Sequence, residues 1–547
     1  MPSPGRIALF TALLLCFAAS CRGEAADGNE ACAGCHQKIY DSYAKTAMAN
    51  ASGPAIQGLI PGEFVHKNSG VIYRIYQQDG KAWLSYERVS DSAINGTREL
   101  LYYIGSNRTG RSYLFSTDGF LFESPVNWYA QKRLWDMAPA YQGTREIPLN
   151  LPATPDCLTC HSSGMKPPLA GTENRYMPPA ITHFGITCER CHGDDVSHAS
   201  HRGGSINPSS LSPERRDAIC MQCHLEGTVA ISRPGKHLYD FRPGDSLGDY
   251  MQYFVLKTQN ASRNPALSQV EAIAQSVCKQ KSGDRMSCMS CHDPHYSPPK
   301  KGRADYYRAK CLNCHGAAFA KRHHANLADC TPCHMPFTMG TAVAHTQATD
   351  HRILRRPAVA SLLNDQADLS PELVPFPPKR NIDNERELAL AWESLAERGV
   401  PGASTEAYRR LQSAITKNPA DPALLSALGF IEQRRGKTED AADQYRRALK
   451  SEPDRLDAAM NFGVIEAQSG ELDDAIRLWQ NAFQRAPWQS AIGLNLAFAY
   501  CGTGKIAQAR EVISRILKFN PDDQRARKLL GNMNSDESQC AASQPKR

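Results

Sequence analysis

Seven short strings of this sequence share one pattern, Cys-x-x-Cys-His, in which two thiols are followed directly by an imidazole. They contain fourteen of the 19 cysteines in the 547-residue chain. We number them string 1 to string 7 in chain order, at residues 32–36, 157–161, 188–192, 220–224, 288–292, 311–315 and 330–334. Their cysteines are Cys32, Cys35, Cys157, Cys160, Cys188, Cys191, Cys220, Cys223, Cys288, Cys291, Cys311, Cys314, Cys330 and Cys333. Their histidines are His36, His161, His192, His224, His292, His315 and His334.

This pattern is the attachment site of c-type haem. Both thiols bond the vinyl groups of the porphyrin, and the adjacent histidine becomes the proximal ligand of the iron. Zinc and disulfides are the alternatives, but tetrahedral zinc does not need a histidine directly after every Cys-x-x-Cys pair. The sequence therefore predicts seven covalently attached haem c groups.

The residues after string 5 predict a distal iron ligand. His295 comes three residues after His292, and three extended residues reach at most about 10 Å. That is too short a path around the edge of a porphyrin, so we expect His295 to bind a different iron. Pro294 supports this, because it restricts Asp293 to extended conformations and ends the proximal helix. A surface histidine is the alternative.

Further side chains are predicted as distal ligands from their position near the strings. They are His198, His324, His345, His351, His66, His183 and Met48. In two places a neighbour is an equal alternative, His201 for His198 and His323 for His324. Ligation by Met48 would raise the potential of the first haem relative to a bis-histidine haem, and packing is its alternative role.

The first 21 residues predict export. Arg6 supplies a positive charge, and residues 7–19 are almost wholly apolar but too short to span a bilayer. The letters "AASC" resemble a lipobox, so lipidation at Cys21 and ordinary cleavage near Ala25 are alternatives, and a lipid would anchor the chain to a membrane surface. No later segment predicts a transmembrane span. We expect the periplasm or the outer-membrane surface of a Gram-negative-type bacterium.

The predicted fold class is multidomain and mainly α-helical, with a haem-packed region, an inserted antiparallel β module and a C-terminal α-solenoid. The net charge is +7, and the basic residues are dispersed with no long run, which argues against a nucleic-acid partner. The predicted segments are a signal peptide at 1–21, a first haem segment at 22–61, a β-rich insert at 62–145, a multihaem region at 146–356, a linker at 357–385 and repeats at 386–535.

Two Asp-Gly pairs predict hairpins in the β-rich insert. Asp79-Gly80 and Asp118-Gly119 each lie between runs that alternate apolar and polar residues. The insert is expected to be a lid or a packing surface for the first two haems.

A 34-residue period marks the C-terminal part of the chain. Proline recurs at 419, 453, 487 and 521, glycine at 402, 436, 470 and 504, and alanine at 407, 441, 475 and 509. This period is typical of tetratricopeptide repeats, in which each pair of helices buries its faces only against its neighbours. We expect four repeats that dock a partner protein, with packing against the rest of the chain as the alternative.

Several strings also carry a family resemblance. The segments "CAGCHQKIYDSY", "GITCERCHGD", "CMSCHDPH", "CTPCHMP" and "TDHRI" resemble bacterial multihaem cytochromes c of the cytochrome c-554/552 type, and the repeat tail resembles exported relatives that carry such repeats. The resemblance implies mostly bis-histidine haems in stacked pairs, electron transfer, and His295 as a distal ligand. Seven strings and a β insert depart from the tetrahaem pattern.

Three functions are compatible with these features. The first is an electron carrier between redox partner proteins, docked in part by the repeats. The second is an oxidoreductase acting on a small nitrogen or sulfur species, which would need a five-coordinate haem. The third is an interaction scaffold whose haems sense redox state. Whether the chain is an enzyme stays open at this point.

Overall fold

The computed structural model describes residues 29–193, 205–257, 268–323, 329–337, 349–355, 372–378, 383–535 and Cys540. The predicted signal peptide lies outside these ranges. So do four predicted site residues, Cys21, His198, His324 and His345. Within the described ranges, no helix is long and apolar enough to cross a membrane.

The β-rich segment forms one antiparallel sheet. Its strands are β1 Ser52–Pro54, β2 Gly62–His66, β3 Val71–Gln78, β4 Lys81–Arg88, β5 Asp91–Ile104, β6 Gly110–Thr117, β7 Phe120–Glu123, β8 Val126–Tyr129, β9 Leu134–Met137 and β10 Leu151–Pro152. The order of hydrogen-bonded neighbours is β10-β7-β6-β5-β4-β3-β2, with β1 on β5 and the β8–β9 ribbon on β6. The predicted β-rich segment is therefore present, and β1 and β10 join its sheet from outside residues 62–145.

Both predicted hairpins are confirmed. Asp79 and Gly80 have φ values of 51° and 72°, and Asp118 and Gly119 have 53° and 83°. Two successive positive φ angles make a turn whose twist matches that of the flanking strands. Alternate residues of β3 and β4 are buried, as expected for a sheet with one face on a core.

Short helices and loops connect the sheet to the repeats, as predicted for the region that carries strings 2 to 7. String 1 lies in α1 Asn29–Tyr43. The later helices are α2 Pro155–His161, α3 Glu189–His192, α4 Pro213–His224, α5 Gln269–Gln275, α6 Val277–Ser282, α7 Arg303–His323 and α8 Thr331–His334. A hairpin of β11 Ser162–Met165 and β12 Ile181–Phe184 follows α2.

The predicted linker differs from the structure. Residues Glu372–Phe376 form strand β15, which pairs with β14 Met251–Lys257, and β14 pairs with β13 Val229–Ser232. The prolines in this stretch, including Pro375, led to the prediction of a linker. Proline is nevertheless tolerated on an edge strand, because only one side of such a strand pairs with a neighbour. The segment therefore belongs to a small sheet that precedes the repeats.

The repeats form the predicted α-solenoid. Its helices are α9 Glu385–Glu397, α10 Ala403–Lys417, α11 Pro422–Arg434, α12 Thr438–Ser451, α13 Leu456–Gln468, α14 Leu472–Arg485, α15 Ser490–Gly502, α16 Ile506–Phe519 and α17 Gln524–Ser535. The periodic glycines have φ between 73° and 91° and lie between the two helices of each repeat. Each second helix ends two residues before the periodic proline. The period therefore predicted four helix pairs correctly, and α17 follows them.

The first solenoid helix packs on the small sheet. Arg233, directly after β13, donates to the Glu387 carboxylate at 2.6 Å and to the Asn384 side-chain oxygen at 2.8 Å. Phe254 of β14 and Trp392 of α9 share one buried apolar cluster. The N-terminal end of the solenoid is therefore fixed to the region that carries the strings.

The C-terminal end of the solenoid packs on the large sheet. Arg88 of β4 donates from Nη1 to Asp522 Oδ1 at 2.8 Å, and its Nη2 bonds Oδ2 of the same carboxylate. The rings of Phe120 and Phe519 lie 5.9 Å apart, and those of Phe122 and Trp488 lie 6.3 Å apart. Both ends of the repeat domain are thus held by the rest of the chain.

We predict that Arg88→Ala destabilises the protein far more than Arg74→Ala. Asp522 is only 3% exposed, so losing Arg88 leaves a buried carboxylate without its cation, at a cost of about 3–5 kcal/mol. Arg74 pairs with Glu63 at 2.6 Å at the surface, where both side chains are solvated and the pair contributes little. Denaturant unfolding of both variants measures the difference. Equal unfolding midpoints for the two variants would contradict the conclusion that Asp522 is a buried carboxylate that needs Arg88.

A disulfide that was not predicted joins the solenoid to the C-terminal tail. Cys501 of α15 bonds Cys540, with the two Cα atoms 5.3 Å apart and a sequence separation of 39. Both cysteines are buried in the apolar core of the last repeats. Structural disulfides persist in oxidising compartments, so this bond agrees with the expectation of export.

We predict that Cys540→Ser lowers the free energy of unfolding of the repeat domain by about 2–4 kcal/mol, because the cross-link restricts the unfolded chain. Cys278→Ser is the matched control, since Cys278 is unpaired and half-buried. Peptide mapping without reduction should recover residues 501 and 540 in one cross-linked fragment. Recovery of both residues as free thiols would contradict the pairing.

Candidate haem-binding site

Single helical turns position most of the strings. Helices α2, α3, α4 and α8 each end at the histidine of their string, namely His161, His192, His224 and His334. Residues i, i+3 and i+4 share one face of a helix. One turn therefore presents two thiols and one imidazole to the same side, as c-type haem attachment requires.

The other three strings use irregular turns. String 5 lies on a 3-10 turn at Cys288–Ser290. Strings 1 and 6 lie inside α1 and α7, whose helical geometry breaks at His36 (φ −114°) and at Gly316 (φ 66°). In both long helices the break falls at the end of the string, so each string still occupies one helical turn.

All seven strings contribute residues to one cavity of about 2960 Å³. This is roughly three times the upper limit of about 1,000 Å³ for an ordinary small-molecule pocket. Six of the seven string histidines line it, and His315 does not. His295, His351 and Met48 also line it. The volume and its lining fit several large planar groups rather than one.

Cysteines from different strings contact each other around this cavity. Four pairs of thiols lie close enough to shift the pKa of one another, namely Cys32–Cys188, Cys160–Cys223, Cys220–Cys288 and Cys311–Cys330. They join string 1 to 3, 2 to 4, 4 to 5, and 6 to 7. Backbone contacts reinforce the first pair, since the Tyr43 hydroxyl donates to the carbonyl of Ile186 at 2.6 Å.

Burial favours the neutral thiol at both cysteines of string 3. It raises the pKa of Cys188 to about 12, with the neighbouring Cys32 adding to the shift, and raises the pKa of Cys191 to about 11. At Cys191 the positive charge of Arg190 offsets part of the cost of a buried thiolate.

Three pairs of imidazoles face each other across the cavity wall. The ring centres of His192 and His295 lie 5.8 Å apart with an interplanar angle of 11°. Those of His292 and His351 lie 6.3 Å apart at 23°, and those of His323 and His334 lie 6.0 Å apart at 34°. Each pair contains one string histidine and one histidine from outside the strings.

Hydrogen bonds fix the tautomer of three of these histidines. His192 Nδ1 lies 2.9 Å from the carbonyl of Ile206, and His334 Nδ1 lies 2.7 Å from that of Leu354. His351 Nδ1 lies 2.9 Å from the carbonyl of Thr349. A carbonyl only accepts, so Nδ1 carries the hydrogen in each neutral ring and Nε2 keeps its lone pair for a metal.

Burial also lowers the pKa values of the cavity histidines. Desolvation is the main cause for His224, His292, His295 and His351, and a neighbouring imidazole adds to it for the first three. Lower pKa values favour neutral imidazoles, the form that binds a metal.

His66 does not reach the cavity, and its prediction as a distal ligand is corrected here. The side chain is 7% exposed, with Nδ1 2.8 Å from Ser69 Oγ and Nε2 3.2 Å from the carbonyl of Gln142. The carbonyl requires a hydrogen on Nε2, so Nδ1 accepts from Ser69 and neither nitrogen has a lone pair for iron. The sequence did not reveal this hydrogen bond because Gln142 is 76 residues away from His66.

The remaining predicted ligands occupy different places. His183 lies on β12, pairs across the hairpin with Gly164, and is absent from the cavity lining. Met48 lines the cavity, and its carbonyl accepts from the Ile186 backbone at 2.9 Å. His323, weighed as the alternative to His324, is the residue whose ring faces His334.

These donors fit haem c. The thiols occur in i, i+3 pairs beside an imidazole, and the fixed tautomers direct Nε2 away from the backbone. A cavity of this size with mainly cysteine and histidine donors is the arrangement that several covalently attached porphyrins require.

Comparisons with known proteins point the same way. Residues 132–193 match the family model described as cytochrome c554 and c-prime, and residues 281–320 match that of the doubled CXXCH motif. Residues 426–491 and 466–533 match two tetratricopeptide repeat models. The multiheme cytochrome MtrA of Shewanella baltica (strain OS185) is 26% identical over 179 residues, which cover 29% of this chain and 51% of MtrA. The chain thus matches about half the length of that curated relative.

Solved structures with low overall similarity include repeat proteins. MamA from Desulfovibrio magneticus RS-1 is 20% identical, with a TM-score of 0.26 over 30% of this chain and 92% of MamA. PilF of Pseudomonas aeruginosa is 20% identical, with a TM-score of 0.25 over 30% of this chain and 78% of PilF. The sequence matches confirm the resemblance to multihaem cytochromes c: the chain carries segments of the cytochrome c554 and doubled CXXCH families together with tetratricopeptide repeats.

Proposed function

We propose that this protein is an exported heptahaem cytochrome that carries electrons between redox partner proteins. The observation that carries the proposal is the shared cavity, to which all seven strings contribute residues. Haem c supplies a one-electron iron couple where it is bound. The chain's part is to hold the porphyrins close together, order them, and keep water from them.

Axial ligation is proposed from the facing imidazoles. Two imidazoles with ring centres about 6 Å apart would hold one haem iron between them, since histidine nitrogens are ligands of haem iron. The pairs His192–His295, His292–His351 and His334–His323 all have this spacing. His295 would then serve string 3 rather than its own string 5, in agreement with the short reach from His292.

The contacts between strings support a branched order. Cys288 of string 5 lies close to Cys220 of string 4, and Cys291 of string 5 lies near Cys314 of string 6. His295, three residues after string 5, lies beside His192 of string 3. Two arms, from string 1 through 3 and from string 2 through 4, would therefore meet at string 5 and continue to strings 6 and 7. Close neighbours along such a path allow electrons to move without large motions of the chain.

Export and docking complete the proposal. Residues 1–21 would direct the chain out of the cytoplasm, with Cys21 as the candidate for a lipid anchor, and the disulfide in the repeat domain agrees with an oxidising compartment. The solenoid would hold a protein partner through the repeats between its two anchored ends.

A second candidate is the oxidoreductase acting on a small nitrogen or sulfur species, and one observation favours it. Glu123 and Asn127 line the cavity near string 2. Burial raises the pKa of Glu123, so it can hold a proton, and Asn127 Oδ1 has no hydrogen-bond partner among the described atoms. These groups could bind a small polar molecule.

We predict seven haems per chain by the pyridine haemochrome assay on the purified protein. The variant Cys157→Ala/Cys160→Ala should contain six, because string 2 then has no thiol for attachment. A wild-type count that stays below seven, or zinc bound in place of iron, would contradict the heptahaem assignment.

We predict that His295→Ala converts one low-spin haem to a high-spin haem in the electron paramagnetic resonance spectrum. The reason is that the iron held by string 3 loses its distal ligand. His66→Ala is the matched control and should leave the spectrum unchanged, since His66 is bonded within the large sheet. An unchanged spectrum in His295→Ala would rule out the proposed pairing. A wild-type high-spin signal that shifts with nitrite, hydroxylamine or sulfite would favour the oxidoreductase.

A further inference from the structure

One stretch of the chain carries most of its net charge. Residues 300–323 contain seven lysines and arginines and a single acid, Asp305, which gives +6 compared with +7 for the whole chain. The cations are Lys300, Lys301, Arg303, Arg308, Lys310, Lys321 and Arg322. The stretch comprises α7 and the three residues before it, and we call it the basic face. It includes string 6. Lys301, Lys321 and Arg322 are exposed and absent from the cavity lining, whereas Lys300, Arg303 and Lys310 also line the cavity and Arg308 is half-buried.

String 6 is the most outward of the seven strings. His315 is the one string histidine that does not line the cavity, and the structure describes all seven. Residues 313–319 are exposed. Phe319 is 43% exposed, and its ring centre lies 5.1 Å from that of His315. An exposed aromatic side chain therefore lies directly against the imidazole of string 6.

The other string on an exposed helix lacks this charge. In α1, Lys38 is outnumbered by Glu30 and Asp41. String 1 in α1 and string 6 in α7 thus both lie on exposed helices. The excess of positive charge is found in α7 and not in α1. The two carboxylates that a haem brings would leave the basic face net positive by about four charges.

We propose that the basic face docks an acidic redox protein, with Phe319 as an apolar contact beside Lys321 and Arg322. This inference rests on the proposed electron-carrier function and names the partner that docks at string 6. Positive and negative surfaces steer each other during encounter, and the resulting complex weakens as salt is added. An exposed aromatic residue within a charged rim is a common anchor in protein interfaces.

The test uses the haem-loaded full-length protein and flavodoxin as an acidic redox probe. Binding is measured by isothermal titration calorimetry at low and moderate salt, and reduction of the haems by reduced flavodoxin is followed by stopped-flow absorbance. Lys321→Glu/Arg322→Glu is compared with Lys132→Glu/Arg133→Glu, which changes the same dipeptide in an exposed turn of the large sheet. Lys300→Glu/Lys301→Glu, before the start of α7, is the second test variant in case the first fails to fold.

We expect the basic-face variants to weaken flavodoxin binding about tenfold and to reduce its salt dependence, because four charge units change at the contact. The Lys132/Arg133 control should bind like the wild type. Equal binding by all variants, or equally tight binding of the basic protein horse cytochrome c, would overturn the proposal. Reduction of the haems by dithionite is the separate check, since its failure would count against the electron-carrier function and not against the docking surface.

Discussion

The structure depends on one geometric constraint, that two thiols and an imidazole of each string must face the same side. A single helical turn satisfies this requirement, which explains why α2, α3, α4 and α8 end at a string histidine. The seven strings lie around one space of about 2960 Å³, which the surrounding chain does not fill with side chains of its own. This region has a small core around Phe241 and Tyr253, and bound porphyrins would add to its packing.

The two larger domains compensate for that weak core. The ten-stranded sheet and the solenoid have their own apolar clusters, and the solenoid contacts the rest of the chain at both of its ends. Arg233 and Arg88 anchor these ends through nearly buried carboxylates, Glu387 and Asp522. The repeat domain is therefore part of the scaffold, which is the packing role that the sequence left as the alternative to docking.

Local features of the site and fold were predictable from sequence, and contacts between distant segments were not. The strings, the Asp-Gly hairpins and the 34-residue period each depend on residues close together in the chain. Pairing of β15 with β14, the bond between Cys501 and Cys540, and the hydrogen bond from His66 to Gln142 depend on segments that meet only in the fold. The prediction that His295 and His292 bind different irons could be made from sequence, because the short reach between them is a local constraint.

The most direct test of the account is to locate the irons in the haem-loaded protein by anomalous diffraction at the iron edge. The account predicts seven iron positions within the shared cavity and along α7, with His192 and His295 on opposite sides of one iron and His292 on another. Fewer than seven irons, or His292 and His295 bound to the same iron, would contradict it.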